Sequence, residues 1–205
     1  MRDLPCYVAS VSFLRDLLRR IRGLRTPSAR PEKPVPTRPL RQLPTWAQVG
    51  RKRRAHITRV AALLEQWARE MKVSDRERSR WVKACWLHDA LRDADLPPGV
   101  THGGAAADRA EQLGESDRGV LDAVRYHSVG YAGWDDVGRM LYLADFLEPG
   151  RKGRRTERAQ WAEQVPGDRD GILRLIVSQQ IRTQLRAHRP IDPLTVAFWN
   201  SLADR

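Results

Sequence analysis

From Trp46 onward, apolar residues recur every three or four positions. The first such stretch places six residues on one helical face, namely His56, Val60, Leu63, Leu64, Trp67 and Met71. Further helices are predicted over 75–91, 104–113, 117–127, 134–148, 171–187 and 194–203, and no segment shows the alternating pattern of a strand. Residues 46–205 are therefore predicted to form an all-α domain, a helical bundle.

The N-terminal quarter differs from this domain in charge and in proline content. Residues 1–54 contain 14 Lys and Arg against 3 Asp and Glu, whereas residues 55–205 contain 23 against 22. Residues 1–25 are predicted to be a basic amphipathic segment. Residues 26–45 are predicted to be a Pro/Arg-rich linker, because proline fixes φ and removes an amide donor. RNA and an anionic membrane surface are the candidate partners of residues 1–54; an extension without a separate role is the alternative.

Cysteine usage and hydropathy predict a cytoplasmic protein. Cys6 and Cys85 lie in unrelated surroundings, which argues against a disulfide framework, and Cys85 is interpreted as a small core residue. No stretch approaches the roughly 18 apolar residues that span a bilayer, and no signal peptide pattern precedes the domain.

Four of the five histidines adjoin apolar helical runs, and two aspartates accompany them. Any one such histidine is more often a core residue than a ligand, but the ordered set is more specific. Imidazole and carboxylate bind divalent ions, and a bundle can present them from facing helices. The predicted ligands are His56, His88, Asp89, His102, His127 and Asp145. His188, at a predicted helix end, is interpreted as a capping or solvated residue.

The order His…His-Asp…Asp resembles the HD superfamily of metal phosphohydrolases. The flanking sequence is similar to one branch, the YqeK-type symmetrical bis(5'-nucleosyl)-tetraphosphatases. The matching segments are Arg53-Arg54-Ala55-His56 with Val60-Ala61, Leu87-His88-Asp89, His102-Gly103-Gly104-Ala105-Ala106, Arg125-Tyr126-His127-Ser128, Ala144-Asp145-Phe146-Leu147-Glu148-Pro149-Gly150-Arg151 and Pro190-Ile191-Asp192-Pro193-Leu194-Thr195. The resemblance runs from about residue 49 to 203 and does not cover the N-terminal quarter.

This resemblance implies two metal ions that share Asp89. The hypothesis is that one ion binds His56, His88, Asp89 and Asp145 and the other binds Asp89, His102, His127 and water. Iron is the metal implied, with manganese or another divalent ion as the alternative. A metal-activated water would then cleave diadenosine tetraphosphate into two ADP.

The same resemblance supplies the remaining site predictions. Asp89 and Arg92 are predicted to be catalytic. The predicted substrate-binding residues are Arg53, Arg92, Arg125, Ser128, Arg151 and Lys152. Structural salt bridges are the alternative role for each cation. The sequence departs from the family where Arg92 replaces the usual lysine, where Ser128 replaces threonine and where Tyr131 replaces arginine, so these positions bear on substrate preference.

Two alternatives stay open at this point. The first is an HD phosphohydrolase that acts on another nucleotide, such as a deoxynucleoside triphosphate, a cyclic dinucleotide or guanosine tetraphosphate. The second is a nucleic-acid-binding or membrane-associated module that uses the basic N-terminus. A homodimer is compatible with the sequence but is not indicated by it.

Overall fold

The computed structural model describes residues 42–203, which form α-helices and no strands. The helices are α1 (Arg51–Glu70), α2 (Asp75–His88), α3 (His102–Gln112), α4 (Arg118–Tyr126), α5 (Asp136–Leu147), α6 (Arg155–Gln164), α7 (Arg169–Arg186) and α8 (Pro193–Ala203). The all-α prediction is confirmed.

Local capping residues fix where most of these helices begin. Five helices start after a Ser, Thr or Asp whose side chain accepts a hydrogen bond from a backbone amide of the first turn, namely Ser74, Thr101, Asp117, Asp135 and Asp168. Such caps satisfy amides that have no acceptor within the helix. The cap at Thr101 makes His102 the first residue of α3, which places its side chain at the end of the bundle.

Helix α5 is the central element of the bundle. It packs against α1, α2, α4, α6 and α7, and every residue from Val137 to Ala144 is buried. A helix that is buried on all sides belongs to the core rather than to the surface. Asp145 follows this run directly, so the core itself delivers a carboxylate to one end of the bundle.

The structure differs from the sequence prediction at α2, α3 and α6. Helix α2 ends at His88 rather than at residue 91, and α3 begins two residues earlier than predicted. Helix α6 was not predicted, because none of its residues is fully buried and its sequence is mostly polar.

The predicted segment 1–25 and most of the predicted linker 26–45 lie outside the described residues. Among the helices of residues 42–203, none combines the length and hydropathy that a bilayer crossing requires.

Gly103 sets the close approach between α3 and α4. A Cβ at this position would lie 2.6 Å from the carbonyl oxygen of Val124 and 3.0 Å from Nδ1 of His127. Because backbone cannot yield as a flexible side chain can, we expect Gly103→Ala to lower the free energy of unfolding by about 1–3 kcal/mol. Urea denaturation measures this loss.

The neighbouring Gly104→Ala variant is the matched control for Gly103→Ala. Its added Cβ would meet only the Thr101 hydroxyl, at 2.9 Å, and the end of the Arg125 side chain, at 4.0 Å. We therefore expect a smaller loss of stability. Equal urea midpoints for Gly103→Ala and the unmodified protein would contradict the packing argument.

Candidate metal centre

The six predicted ligands meet at one end of the bundle although they come from five helical regions. His56 lies in the second turn of α1, and His88 and Asp89 end α2. His102 begins α3, His127 directly follows α4, and Asp145 lies in the last turn of α5. The sequence therefore brings together residues that are as far as 89 positions apart, from His56 to Asp145.

Asp89 lies at the centre of the cluster and divides it into two sides. Its Oδ2 atom is 3.7 Å from Nε2 of His56 and 3.4 Å from Nε2 of His88. Its Oδ1 atom is 3.1 Å from Nε2 of His102 and 3.6 Å from Nε2 of His127. Two donor groups result. The first consists of His56, His88 and Asp89, and the second of Asp89, His102 and His127. Within each group, the donor atoms lie within 4.8 Å of one another.

Asp145 stands on the first of these two sides. Its Oδ1 atom is 3.0 Å from Nε2 of His56 and also accepts a hydrogen bond from the guanidinium of Arg151. The division of the six ligands between two ions, with Asp145 beside His56 and His88, stays a prediction.

Hydrogen bonds on the far side of two imidazole rings aim their Nε2 atoms at the cluster. Nδ1 of His88 is 2.7 Å from the carbonyl oxygen of Cys85, and Nδ1 of His127 is 2.8 Å from that of Val124. A carbonyl only accepts, so each Nδ1 carries a proton, and each Nε2 faces the centre, where it presents a lone pair whenever the ring is neutral. This outer contact is the usual arrangement of a metal-binding histidine.

Glu148 orients His56 in the same way, with Nε2 toward the cluster. The sequence had predicted no role for Glu148. Its side chain is 2% exposed, and its Oε1 atom is 3.0 Å from Nδ1 of His56. The same carboxylate accepts hydrogen bonds from Arg59 and from the backbone amide of Gly150. The only signal in the sequence was its place in the segment Glu148 to Arg151 that carried the resemblance.

The donor set fits a metal cation. Among the residues that the structure describes, the buried Nε2 atom of His88 has no hydrogen-bond partner, and that of His56 faces Oδ1 of Asp145 at 3.0 Å. Leaving a buried polar atom without a partner costs free energy, and a cation between these two nitrogens and the Asp89 carboxylate would give each of them a partner. His, Asp and water ligands suit iron, manganese or zinc.

Both central carboxylates are ionised. Burial alone would raise the pKa of Asp89, but the positive charge of His88 and the adjacent imidazoles of His102 and His127 lower that pKa well below its usual range. For Asp145, burial is likewise outweighed, chiefly by the adjacent imidazole of His56, and its pKa is also lowered. Two carboxylates are thus available as ligands without the loss of a proton.

The imidazoles respond to the same burial in two ways. Burial acts to lower the pKa of His88, but the charge of Asp89, together with the contacts of the ring with Asp89 and Cys85, outweighs burial and raises that pKa well above its usual value. Burial lowers the pKa of His127, so this ring is neutral near pH 7. The charge of Asp89 stabilises a proton on Nε2 of His88, and a bound cation would replace that proton.

A cavity of about 640 Å³ opens over the side of the cluster formed by Asp89, His102 and His127. Its cationic side chains are Arg53, Arg92, Arg151, Lys152, Arg154, Arg158 and Arg186. The first four were predicted from the sequence. The last three were not, because they come to this cavity only through tertiary packing. Polar side chains of α7 form the opposite wall, namely Gln179, Gln180, Thr183 and Gln184.

Three of the predicted substrate-binding arginines contact a ligand residue directly. Arg53 Nη1 donates to Asp89 Oδ2 at 2.7 Å, and Arg151 donates to Asp145. Arg92 is exposed, with its Nη1 atom 3.1 Å from Nδ1 of His102.

The other three predicted substrate-binding residues are placed differently. Ser128 lines the cavity with its hydroxyl 3.1 Å from Nε2 of His127, and Lys152 also lines it. Arg125 instead forms an ion pair with Asp108 at 2.6 Å and is not among the residues that line the cavity. The structure therefore does not bring Arg125 to the site, and its alternative role in a salt bridge agrees with this geometry.

Two further residues considered from the sequence lie apart from the cluster. His188 is exposed after the end of α7. Cys85 is fully buried in the core, and burial raises the pKa of its thiol, which makes it a poor nucleophile.

Comparisons with known proteins agree on one family. The HD-domain model matches residues 53–160. A symmetrical bis(5'-nucleosyl)-tetraphosphatase of Halalkalibacterium halodurans is 30% identical over 92 residues, which are 45% of this chain and 48% of that protein. The protein of the same name from Bacillus subtilis is 40% identical over 40 residues, 20% of this chain and 22% of that one. The matches thus span about half or less of the curated relatives.

A solved structure shows the same fold. The crystal structure of an HD superfamily hydrolase from Clostridium acetobutylicum, described as involved in NAD metabolism, superposes with a TM-score of 0.64. The two chains are 20% identical, and the superposition covers 77% of this chain and 92% of the other. At this identity the likeness supports the helical architecture alone.

Proposed function

The chain belongs to the HD-domain family of metal-dependent phosphohydrolases, and we propose that it hydrolyses dinucleoside polyphosphates, cleaving diadenosine tetraphosphate symmetrically into two ADP. The observation that carries the proposal is the placement of Asp89 between two donor groups under a cavity lined with arginines. Two relatives that bear the name of this activity, matched over about half their length or less, support the choice of substrate.

The ligand residues would hold two cations, one at His56, His88, Asp89 and Asp145 and one at Asp89, His102 and His127. Bound cations of this kind withdraw charge from phosphoryl oxygens and acidify water. We propose iron, with manganese as the alternative, since a set of imidazoles and carboxylates accepts both. Asp89 orients both groups at once, which makes it the residue on which the arrangement depends most.

Arg92 would exchange its contact with His102 for a contact with phosphate. In the described structure its guanidinium approaches Nδ1 of His102, which must then be an acceptor. With a cation at Nε2 of His102, the neutral ring would carry its proton on Nδ1 and would no longer accept from Arg92. Arg92 would then be available to the substrate, beside Arg53 and Arg151.

The proposed reaction consumes one water for each substrate. The water oxygen attacks the phosphorus next to the central bridging oxygen, and the bond between that phosphorus and the bridging oxygen breaks. One ADP leaves with the bridging oxygen, the other keeps the oxygen of water, and protons pass to solvent. Arg53, Arg92 and Arg151 would hold the polyphosphate and neutralise charge on its oxygens.

Product analysis tests the proposal. Protein loaded with iron or manganese is expected to convert diadenosine tetraphosphate into ADP alone, with one ¹⁸O atom from labelled water in every two ADP molecules. ATP and AMP as products would contradict symmetrical cleavage. A panel containing deoxynucleoside triphosphates, a cyclic dinucleotide and guanosine tetraphosphate separates the alternative substrates; preference for one of these would overturn the assignment.

We further propose that residues 46–205 form the catalytic domain of a cytoplasmic enzyme, preceded by the basic segment 1–25 and the linker 26–45. Residues 1–54 would contact RNA or an anionic membrane surface through their excess of Lys and Arg. Binding of RNA and of anionic vesicles by the full chain, measured as a function of salt, tests this role; binding that does not weaken as salt rises would contradict it.

A further inference from the structure

A second groove adjoins the candidate metal centre and shares part of its lining with the first cavity. It measures about 670 Å³, close to the 640 Å³ of the first cavity. Its lining consists of Gly50, Arg51, Lys52, Arg53, His56, Asp93, Glu148, Gly150 and Arg151. Arg53 and Arg151 line both spaces, so the two openings meet at the ligand cluster and share two cations there.

The second groove is strongly cationic at the start of α1. The first turn of this helix contains four basic residues, from Arg51 to Arg54, and no acidic residue. Gly50 precedes the helix and supplies no side-chain cap, so the partial positive charge of the helix start adds to these cations.

The acidic residues of the groove are already occupied. Asp93 Oδ2 accepts a hydrogen bond from the backbone amide of Gly50 at 2.7 Å. Glu148 accepts from His56 and from Arg59. By contrast, Arg51 and Lys52 are exposed and form no ion pair with a described residue. Two cations beside the metal centre are therefore free to meet an anion.

His56 connects this groove with the ligand cluster. Its side chain is 8% exposed and lines the groove, and its Nε2 atom lies 3.0 Å from Oδ1 of Asp145. A ligand that spans from Arg51 to His56 would thus end at the ligand cluster, beside the place where phosphoryl chemistry is proposed.

The two spaces differ in the chemistry that they offer. The first cavity includes the aromatic side chains of Tyr142 and Phe146 and the amides of α7, which suit a nucleoside. Apart from the imidazole of His56, the described residues that line the second groove include no aromatic and no aliphatic side chain. The groove therefore suits phosphate and ribose.

We propose that the groove at the start of α1 binds the phosphates of the second half of the dinucleoside polyphosphate. Arg51 and Lys52 then act as specificity-determining residues that favour a dinucleotide over a mononucleotide. This proposal rests on the proposed function and deepens it. In the proposed arrangement, one ADP half of the substrate lies in the first cavity, and the phosphate bridge that is cleaved lies between Arg53 and Arg151. The base of the second half faces solvent.

The test uses the full chain with Arg51→Ala and Lys52→Ala combined. Because each removed cation loses charge-assisted contacts to phosphate, kcat/KM for diadenosine tetraphosphate is expected to fall about 10- to 100-fold, mostly through KM. Hydrolysis of p-nitrophenyl phosphate, which has no second nucleotide half to reach the groove, is expected to stay within about twofold. A substrate whose second base is guanine is expected to be cleaved about as well as the diadenosine compound.

The matched control combines Arg54→Ala and Arg69→Ala. Both arginines are exposed on the same helix and line neither space, so the control removes the same net charge. An equal loss of kcat/KM in the two double variants would overturn the proposal, because a general charge effect would then explain the result. An equal loss toward p-nitrophenyl phosphate in the Arg51 and Lys52 variant would overturn it as well.

Calorimetric titration with inorganic tripolyphosphate separates failure of this inference from failure of the proposed function. Even if diadenosine tetraphosphate is not the substrate, the groove is expected to bind tripolyphosphate, with Kd about tenfold weaker in the Arg51 and Lys52 variant. Unchanged Kd relative to the control overturns the groove inference. Weakened binding without cleavage of diadenosine tetraphosphate overturns only the proposed substrate.

Discussion

The Asp89→Ala variant is expected to lose bound metal and phosphohydrolase activity together while it keeps its helical fold. Among residues 42–203, Asp89 is the one residue that contributes to both donor groups, through Oδ2 toward His56 and His88 and through Oδ1 toward His102 and His127. Since both groups lose a charged ligand at once, we expect kcat to fall by about a thousandfold or more.

The fold is expected to persist because Arg53, which donates a hydrogen bond to Asp89, can be solvated instead. About a quarter of the Arg53 side chain is exposed, so its guanidinium can bind water when the Asp89 carboxylate is removed. Elemental analysis of protein purified without chelator measures the metal, circular dichroism measures the helices, and product formation measures activity. Asp95→Ala, an exposed carboxylate nearby in the chain, is the control and should retain both metal and activity. Activity retained in Asp89→Ala would refute the shared-ligand mechanism.

The sequence predicted the helices that contribute a buried face, and the reason is visible in their composition. Helix α1 buries His56, Val60 and Leu64 at helical spacing, so its pattern could be recognised without the fold. Helix α6 presents no fully buried residue, and its assignment depends on packing against α5 and α7. Periodicity could not have identified it.

The ligand residues could be identified from the sequence, whereas Glu148, which orients one of them, could not. His and Asp next to apolar runs are conspicuous, since an unpaired charge is expensive to bury. Glu148 lies in an equally apolar setting, but its contact with His56 joins residues 92 positions apart. The second groove likewise depends on the meeting of residues 50–53 with residues 148–151. Local pattern does not contain that information, whereas tertiary geometry does.

The Glu148→Ala variant is expected to weaken metal binding and to destabilise the protein. Loss of the carboxylate frees Nδ1 of His56, so its ring is no longer held with Nε2 toward the cluster. Removal of such an outer contact typically costs about 10- to 100-fold in metal affinity. Arg59 and the amide of Gly150 also lose their acceptor, and we expect the free energy of unfolding to fall by about 2–3 kcal/mol.

Two measurements separate these effects of Glu148. Urea denaturation in chelator reports the lost hydrogen bonds, and metal titration of the folded variant reports the orientation of His56. Glu148→Gln keeps a carbonyl acceptor for Nδ1 of His56 while it removes the charge, so its metal affinity should lie between those of the unmodified protein and Glu148→Ala. Glu163→Ala, an exposed position in α6, is the control. A purely structural role of Glu148 predicts lower stability with unchanged metal affinity, whereas a role in positioning His56 predicts weaker metal binding. If Glu148→Ala binds metal as tightly as Glu163→Ala, then Glu148 does not position His56.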